Sequence, residues 1–292
     1  MAWAGGNGRC WHVVSNRGIM ARVVADSVNP DGERLTTVEA IFNRWILAEL
    51  NTHRMLSRNS ASSRAVPVAK TIRQVWADPA VPSHWGSNQA GMQARSELSG
   101  WRRGVARRAF LWARLPAIAF AWLLVKVGLH KQVANRILEP WAWHTAVISA
   151  TEWGNFFKLR LHPDAQPEFQ ELAQCIRNAM DASVPQRLEW GMWHQPYLRP
   201  EDWSAAACMS RDERSDLFPD TAFMSVARCA AVSYVRQGES RDPRKDISLS
   251  VRLRDNGHWS PFEHVAVTER GQFGNFNGFK QLRKFYPGED GR

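Results

Sequence analysis

The chain has 292 residues, of which 44% are hydrophobic and 23% charged, and fifteen are tryptophan. That balance excludes disorder as the default state and supplies a core for one large domain or two ordinary ones. A formal net charge of +10 makes anions the natural partners, but apart from the Arg102/Arg103 and Arg107/Arg108 pairs the basic residues are scattered, with no continuous tail suited to tracking a duplex.

Residues 1–17 lack the basic start and long apolar run of a secretion signal. Residues 10–29, with Val13, Val14, Val23 and Val24, suit one or two strands. From Thr37 to Arg54 the apolar residues Val38, Ile41, Phe42, Trp45, Ile46 and Leu50 recur at helical spacing and predict an amphipathic helix capped near Thr36 or Thr37. Residues 65–93, with Pro67, Pro79, Pro82, Gly86 and Gly91, predict an irregular surface segment. A long helical region follows from Gln93 to Val127, interrupted at Pro116. Its most apolar stretch, Leu111 to Leu129, is broken by Arg114, Pro116 and Lys126 and predicts a buried helix rather than a membrane span.

Further helices are predicted over Lys131–Leu138, Thr145–Leu161 and Gln166–Met180. Residues 183–222, rich in Pro and Trp, suggest a connecting or lid region between a first unit, 1–182, and a last one, 223–292. In that last unit a short helix with a strand (Ser225–Val235), a polar loop and a helix near Ile247–Arg254 lead through the turn Gly257–His264 to a final strand and helix. Cys10, Cys175, Cys208 and Cys229 form no C-x-x-C pair. Their spacing suggests neither a zinc site nor a disulfide framework, and a reducing cytoplasmic setting fits.

The densest chemistry lies in Thr52–Arg64, where three arginines, a histidine, an asparagine and four serines close an apolar run. Guanidinium forks bind phosphate bidentately, and hydroxyls with loop N–H groups complete such a cradle. By composition alone the same residues also suit a solvated helix end. Their order resembles the signature of flavin-dependent thymidylate synthases, R-H-R-x7-S with a closing Arg, carried here by His53, Arg54, Ser62 and Arg64, with Asn59 at a fitting place. Arg136-Ile137-Leu138-Glu139-Pro140 resembles the family's R-x-x-x-P element. Asn155-Phe156-Phe157-Lys158-Leu159-Arg160 with Ala165-Gln166 resembles its N-F-x-x-L-R…A-Q element. Ser225–Tyr234 and Gly257-His258-Trp259-Ser260-Pro261-Phe262-Glu263-His264 resemble its A-R-V-S-Y and G-H-x-[ST]-P-F-E-H elements, which precede the R-H-R helix in compact members and follow it here.

The resemblance implies an α+β fold, a mixed sheet flanked by long helices with its segments in permuted order, as in the longer, rearranged forms carried by bacteriophages; a phage-encoded protein would work in the host cytoplasm. It implies FAD as cofactor, with NADPH and methylenetetrahydrofolate as co-substrates, and methylation of dUMP. His53, Arg54, Asn59, Asn155, His258, Ser260 and Glu263 would contact FAD. Glu49, Ser60, Ser62, Ser63, Arg64 and Arg136 would contact dUMP, and Arg160 would sit against the uracil as the catalytic residue. Sites shared between the subunits of a homotetramer would accommodate the shuffled order; neither membrane nor nucleic acid is an expected partner.

The chain departs from the pattern at Thr52, where the first Arg stands in the family, at Glu49 (Gln) and Ser60 (Glu), and over Ser149–Gly154, which lacks an Asn-x-Arg. Gly274-Asn275-Phe276 and the stretch Gln281–Lys284 are candidates to replace the missing flavin contacts, or else form a surface helix. None of the four cysteines has the Pro-Cys-His setting of a classical synthase nucleophile. Two competing readings are a flavin-dependent hydroxymethylase of dUMP or another pyrimidine nucleotide, and a basic protein stacking single-stranded nucleic acid on Trp and Arg.

Overall fold

The computed structural model describes residues 12–14, 18–91, 93–207, 218–233 and 242–287. In chain order the elements are β1 (His12–Val14), β2 (Met20–Val28), β3 (Arg34–Asn43), α1 (Leu47–Leu50), β4 (Ser57–Ser60), α2 (Val68–Ala77), α3 (Gly100–Lys126), α4 (Lys131–Ala134), β5 (Trp143–Ala150), α5 (Gly154–Arg160), α6 (Pro167–Asp181), β6 (Gln186–Arg187), β7 (Trp193–His194), α7 (Pro200–Ala207), α8 (Asp220–Ala230), α9 (Pro243–Asp255), β8 (Ala266–Phe273) and β9 (Phe276–Gln281). The fold is mixed α+β. Five strands pair antiparallel in the order β1-β2-β3-β5-β4, with β6 adding a parallel pair to β2; a second sheet runs β7-β8-β9.

The first core forms because β3 and β5 turn one row of side chains toward α6. Val38, Ala40, Phe42, Ala146 and Ile148 are buried on that face. Helix α6 starts with Pro167 in its first turn, where the missing N–H costs nothing. It buries Phe169, Leu172, Ala173, Ile176 and Ala179 at helical spacing. Each fully buried Leu, Ile or Phe there contributes about 1.5–3 kcal/mol.

The opposite face of the sheet is polar and receives the second unit. Ser27 Oγ, His194, Thr37 Oγ1, Ser149 Oγ and His264 Nδ1 form one buried chain of hydrogen bonds with successive separations of 2.8, 2.8, 2.6 and 2.8 Å. A second core, with Phe223, Met224, Val226, Phe262 and Leu282 buried, lies behind it. Residues 183–222, the expected connecting or lid region, supply β7 and send Trp193, Leu198 and Phe218 against this core. At its centre Arg228 is held by Asp202 and Asp246. Gly278 in β9 has φ +68°, and a Cβ there would fall 2.1 Å from Asn29 Nδ2, so the close seating of the hairpin on the β2–β3 turn requires glycine.

Several expected elements differ. Residues 34–43 form the central strand instead of a helix, and the helical part of that stretch is confined to a 3-10 turn, Arg44–Ile46, and α1. A strand covered on both faces reads as an unbroken apolar run, which imitates helical spacing. For the same reason residues 143–150 are strand β5, and only 154–160 form the helix expected over Thr145–Leu161. The expected irregular segment contains α2, which Pro67 opens from the N-cap position. The helix expected over Lys131–Leu138 is α4 followed by a 3-10 stretch, Asn135–Trp141, that runs through Pro140. The last strand and helix are instead the β8–β9 hairpin and a 3-10 turn, Leu282–Phe285.

Helix α3 is continuous through Pro116, and it is not buried. It packs Ala117, Ala121 and Phe110 on α2 and Trp141 but leaves Trp101, Trp112 and Trp122 at 74%, 71% and 56% exposure, with Leu115 and Leu123 beside them. By length and composition it could cross a membrane.

Candidate active site

Residues Glu49, His53 and Arg160 meet at the C-terminal ends of α1 and α5. Arg160 donates through Nη1 to Glu49 Oε2 at 2.6 Å and through Nε to His53 Nε2 at 2.8 Å. Its guanidinium lies over the Phe169 ring, 4.3 Å from the centroid. No hydrogen bond engages its Nη2 among the described residues. Because His53 Nε2 accepts from Arg160, the ring proton sits on Nδ1. Burial, then the charges of Arg160 and Arg58, lower the His53 pKa to about 4, so the ring is neutral at pH 7. The site thus presents a rigid cation beside a neutral imidazole.

Strand β4 carries the rest of the signature to the 3-10 turn Ser260–Glu263. Ser260 Oγ lies 3.1 Å from both Arg58 O and Asn59 Oδ1, and Asn59 Nδ2 donates to Cys229 O at 2.7 Å. Ser57 Oγ accepts from Asn275 Nδ2 at 3.0 Å and from Gln281 Nε2 at 2.9 Å, while Gln281 also reaches Glu263 O. Glu263 is paired with Arg283. The H-R…S-x-R and G-H-x-S-P-F-E-H segments therefore meet within one chain. This seam joins the two segments without a neighbouring subunit. Asn275 and Gln281 belong to it too, so the Gln281–Lys284 stretch is no surface helix. The β4 hydroxyl Ser57, which sequence reasoning passed over, is its hub.

Several of the remaining expected contacts are outward-facing. Arg54, Asn155 and His258 are exposed, Arg136 is exposed beside Glu139 at 3.4 Å, and Arg64 is exposed with its backbone N–H on Ser62 Oγ. Ser62 and Ser63 line a cavity of about 430 Å³ with Arg44, Lys70, Thr71, Asn135 and His144. That cavity includes none of Glu49, His53, Arg160 or Ser60. Ser60 instead ends β4, opposite Ala146. Asn135 and Lys131 tie the loop down by donating to Ser63 O, Val66 O and Ala65 O. Arg44, Asn135 and His144 were not among the expected site residues, since nothing local in the sequence marks them.

Of the cysteines, Cys175 and Cys229 are buried. Burial pushes the Cys229 pKa well above the ordinary thiol range. Cys10, Cys208 and Tyr234 lie outside the described residues. The described residues contain no cluster of His, Cys, Asp and Glu able to hold a metal.

The sequence matches the family described as "Thymidylate synthase complementing protein" over residues 35–186. No curated protein matches it. Among solved structures it is similar to the UMP/dUMP methylase PolB from Streptomyces cacaoi bound with 5-Br dUMP, at 16% identity and TM-score 0.46, over 57% of this chain and 92% of that one. It is likewise similar to the same enzyme bound with 5-Br UMP, at 15% identity and TM-score 0.46, over 58% and 92% of the two chains.

Proposed function

The chain belongs to the thymidylate synthase complementing protein family, and from that premise we propose that it is a flavin-dependent thymidylate synthase, converting dUMP to dTMP with methylenetetrahydrofolate and NADPH. The observation that carries this reading is Arg160: a guanidinium fixed by Glu49, His53 and Phe169, with Nη2 left to donate. A cation held in that way stabilises negative charge developing on a pyrimidine ring without reorganising. The seam at Asn59 and Ser260 supports the reading, because it joins in one chain the segments that the family's chemistry requires near one flavin.

The donor set suits FAD. Arg54 is an exposed guanidinium, Asn155 an exposed amide, His258 an exposed ring and His53 a neutral imidazole, donors of the kinds that a pyrophosphate and an acceptor-rich ring require. Bound there, the flavin would supply hydride and one-carbon transfer. The chain's own part would be to bind and orient: His53, Arg54, Asn59, Asn155, His258, Ser260 and Glu263 toward the flavin, and Glu49, Ser60, Ser62, Ser63, Arg64 and Arg136 toward dUMP. The buried, high-pKa Cys229 gives no support to a thiolate nucleophile.

The active form is proposed to be a homotetramer. The outward apolar face of α3 supports assembly, as does the placing of Ser62 and Ser63 in a cavity apart from Arg160. The order of segments accords with a rearranged, phage-type form acting in a host cytoplasm. Glu49, which ion-pairs with Arg160 where the family has Gln, favours a second reading, hydroxymethylation of dUMP or of another pyrimidine nucleotide. One experiment tests both. Purified protein should be yellow with a flavin spectrum and should release the carbon-5 proton of dUMP when given methylenetetrahydrofolate and NADPH. Mass spectrometry of the product then separates methyl from hydroxymethyl, and a colourless, inactive protein refutes both.

A further inference from the structure

Helix α3 carries the basic residues Arg102, Arg103, Arg107, Arg108, Arg114 and Lys126 and no acidic one. The first four fall in its N-terminal half and are exposed. Arg103 lies 3.5 Å from Glu97, whereas Arg102, Arg107 and Arg108 form no ion pair among the described residues. Trp101, Val105 and Trp112 interleave with them at 74%, 52% and 71% exposure. The spacing of Trp101, Val105, Arg108 and Trp112 puts all four on one face of the helix. That face is turned away from the fold, because Phe110, Ala117 and Ala121 hold the other side of α3 on α2 and Trp141. Large apolar side chains gathered on an exposed face mark an interaction surface.

The chemistry of the patch defines what covers it. Guanidiniums without carboxylate partners call for an anion, and they disfavour a second copy of the same patch, which would set like charges against each other. Indoles and a valine among the charges call for a partner with an apolar layer just beneath its anionic groups. A nucleic-acid backbone offers Val105 nothing to bury against. A bilayer with acidic headgroups has both layers, and indole rings settle at its interface. We propose that the N-terminal half of α3, from Trp101 to Trp112, lies on a membrane surface rich in anionic lipid. Trp101, Val105 and Trp112 enter the headgroup layer, and Arg102 and Arg108 meet lipid phosphates. The helix lies on the bilayer and does not cross it, since crossing would strip α3 from α2 and bury four arginines in hydrocarbon. Leu115 and Leu123, assigned above to assembly, are C-terminal to this patch, Leu123 by about 16 Å along the helix axis.

The test is co-flotation of the purified protein with two kinds of vesicle, one of phosphatidylcholine alone and one containing about one-third phosphatidylglycerol. Binding to the anionic vesicles is expected, about tenfold or more tighter than to the neutral ones and weakened by high salt. Arg102→Glu with Arg108→Glu should weaken it about a hundredfold, and Trp101→Ser with Trp112→Ser about tenfold. Circular dichroism confirms that both double variants fold. Neither pair belongs to the proposed active site, so turnover of dUMP should be unchanged in both, and the membrane reading stands or falls separately from the enzymatic one. Failure to bind anionic vesicles, equal binding to neutral ones, or full binding by either folded variant overturns the proposal. Two other results overturn it by naming a different occupant. One is uptake of single-stranded DNA through Arg102 and Arg108 with no vesicle binding. The other is an oligomer that ignores vesicles and dissociates when Trp101 and Trp112 are replaced.

Discussion

Ser260 Oγ lies 3.1 Å from Asn59 Oδ1, although 201 residues of chain separate them. The pair holds strand β4 to the 3-10 turn at Ser260, and Asn59 reaches Cys229 O from its other side. Asn59→Ala removes both links and leaves Cys229 O without that donor. It should cost about 1–3 kcal/mol of stability and loosen flavin binding more than dUMP binding. Chemical denaturation and the flavin spectrum of the purified variant check this; unchanged flavin retention would remove Asn59 from the cofactor site.

Arg160→Ala should lower turnover about a hundredfold or more while leaving the fold and most of the flavin in place. It also removes a nearby cation and the hydrogen bond to His53 Nε2, so the His53 pKa should rise from about 4, though burial keeps it below the ordinary value of 6.5. An NMR titration reads the second effect independently of activity. Near wild-type turnover sinks the role given to Arg160.

Replacing all four cysteines by Ser or Ala should leave measurable activity, with some stability lost at Cys175 and Cys229, which are buried. If one such replacement in a folded protein stops turnover, a thiol takes part in the chemistry and the flavin-only reading fails.

Acid should destabilise the protein from near neutrality downward. Burial lowers the pKa of His144, His194 and His264 to about 3 in each case, from 6.5. Below pH 6.5 the unfolded chain takes up protons at these rings while the folded chain does not. Their contribution is therefore complete above 6.5 and declines as pH falls toward 3, at about 1.4 kcal/mol per pH unit for each ring. Urea midpoints at pH 7.5 and pH 5 should differ in that direction, and equal midpoints would show that the rings are not held neutral.

Leu115→Glu with Leu123→Glu places charge on the outward face of α3 without touching Ala117 or Ala121, which pack inward. Light scattering should show the wild type as an oligomer and the double variant shifted toward monomer. A wild-type monomer with full turnover refutes the assembly.

The meeting of the two motif segments was legible because hydrogen-bonding residues kept a recognisable order: Asn59 and Ser260 stood out in sequence and do meet. Helix α6 was legible because one of its faces is apolar and the other polar. Strands β3 and β5 were not, since burial on both faces erased the alternation that marks a strand. The exposure of α3 was hidden for a related reason: composition tells that Trp112 and Leu123 are apolar, not which side of the helix meets the rest of the chain. Asn135 and His144 gained their interest only from what surrounds them in space.

The buried chain from Ser27 through His194, Thr37 and Ser149 to His264 also bears on how the protein folds. Its four links join residues 167, 157, 112 and 115 positions apart. Closing loops of that length is slow relative to pairing a hairpin such as β2–β3. The entropy lost is recovered only when the sheet and the second unit are docked together, so substitutions at this polar seam should slow refolding or speed unfolding according to how much of it has formed in the transition state.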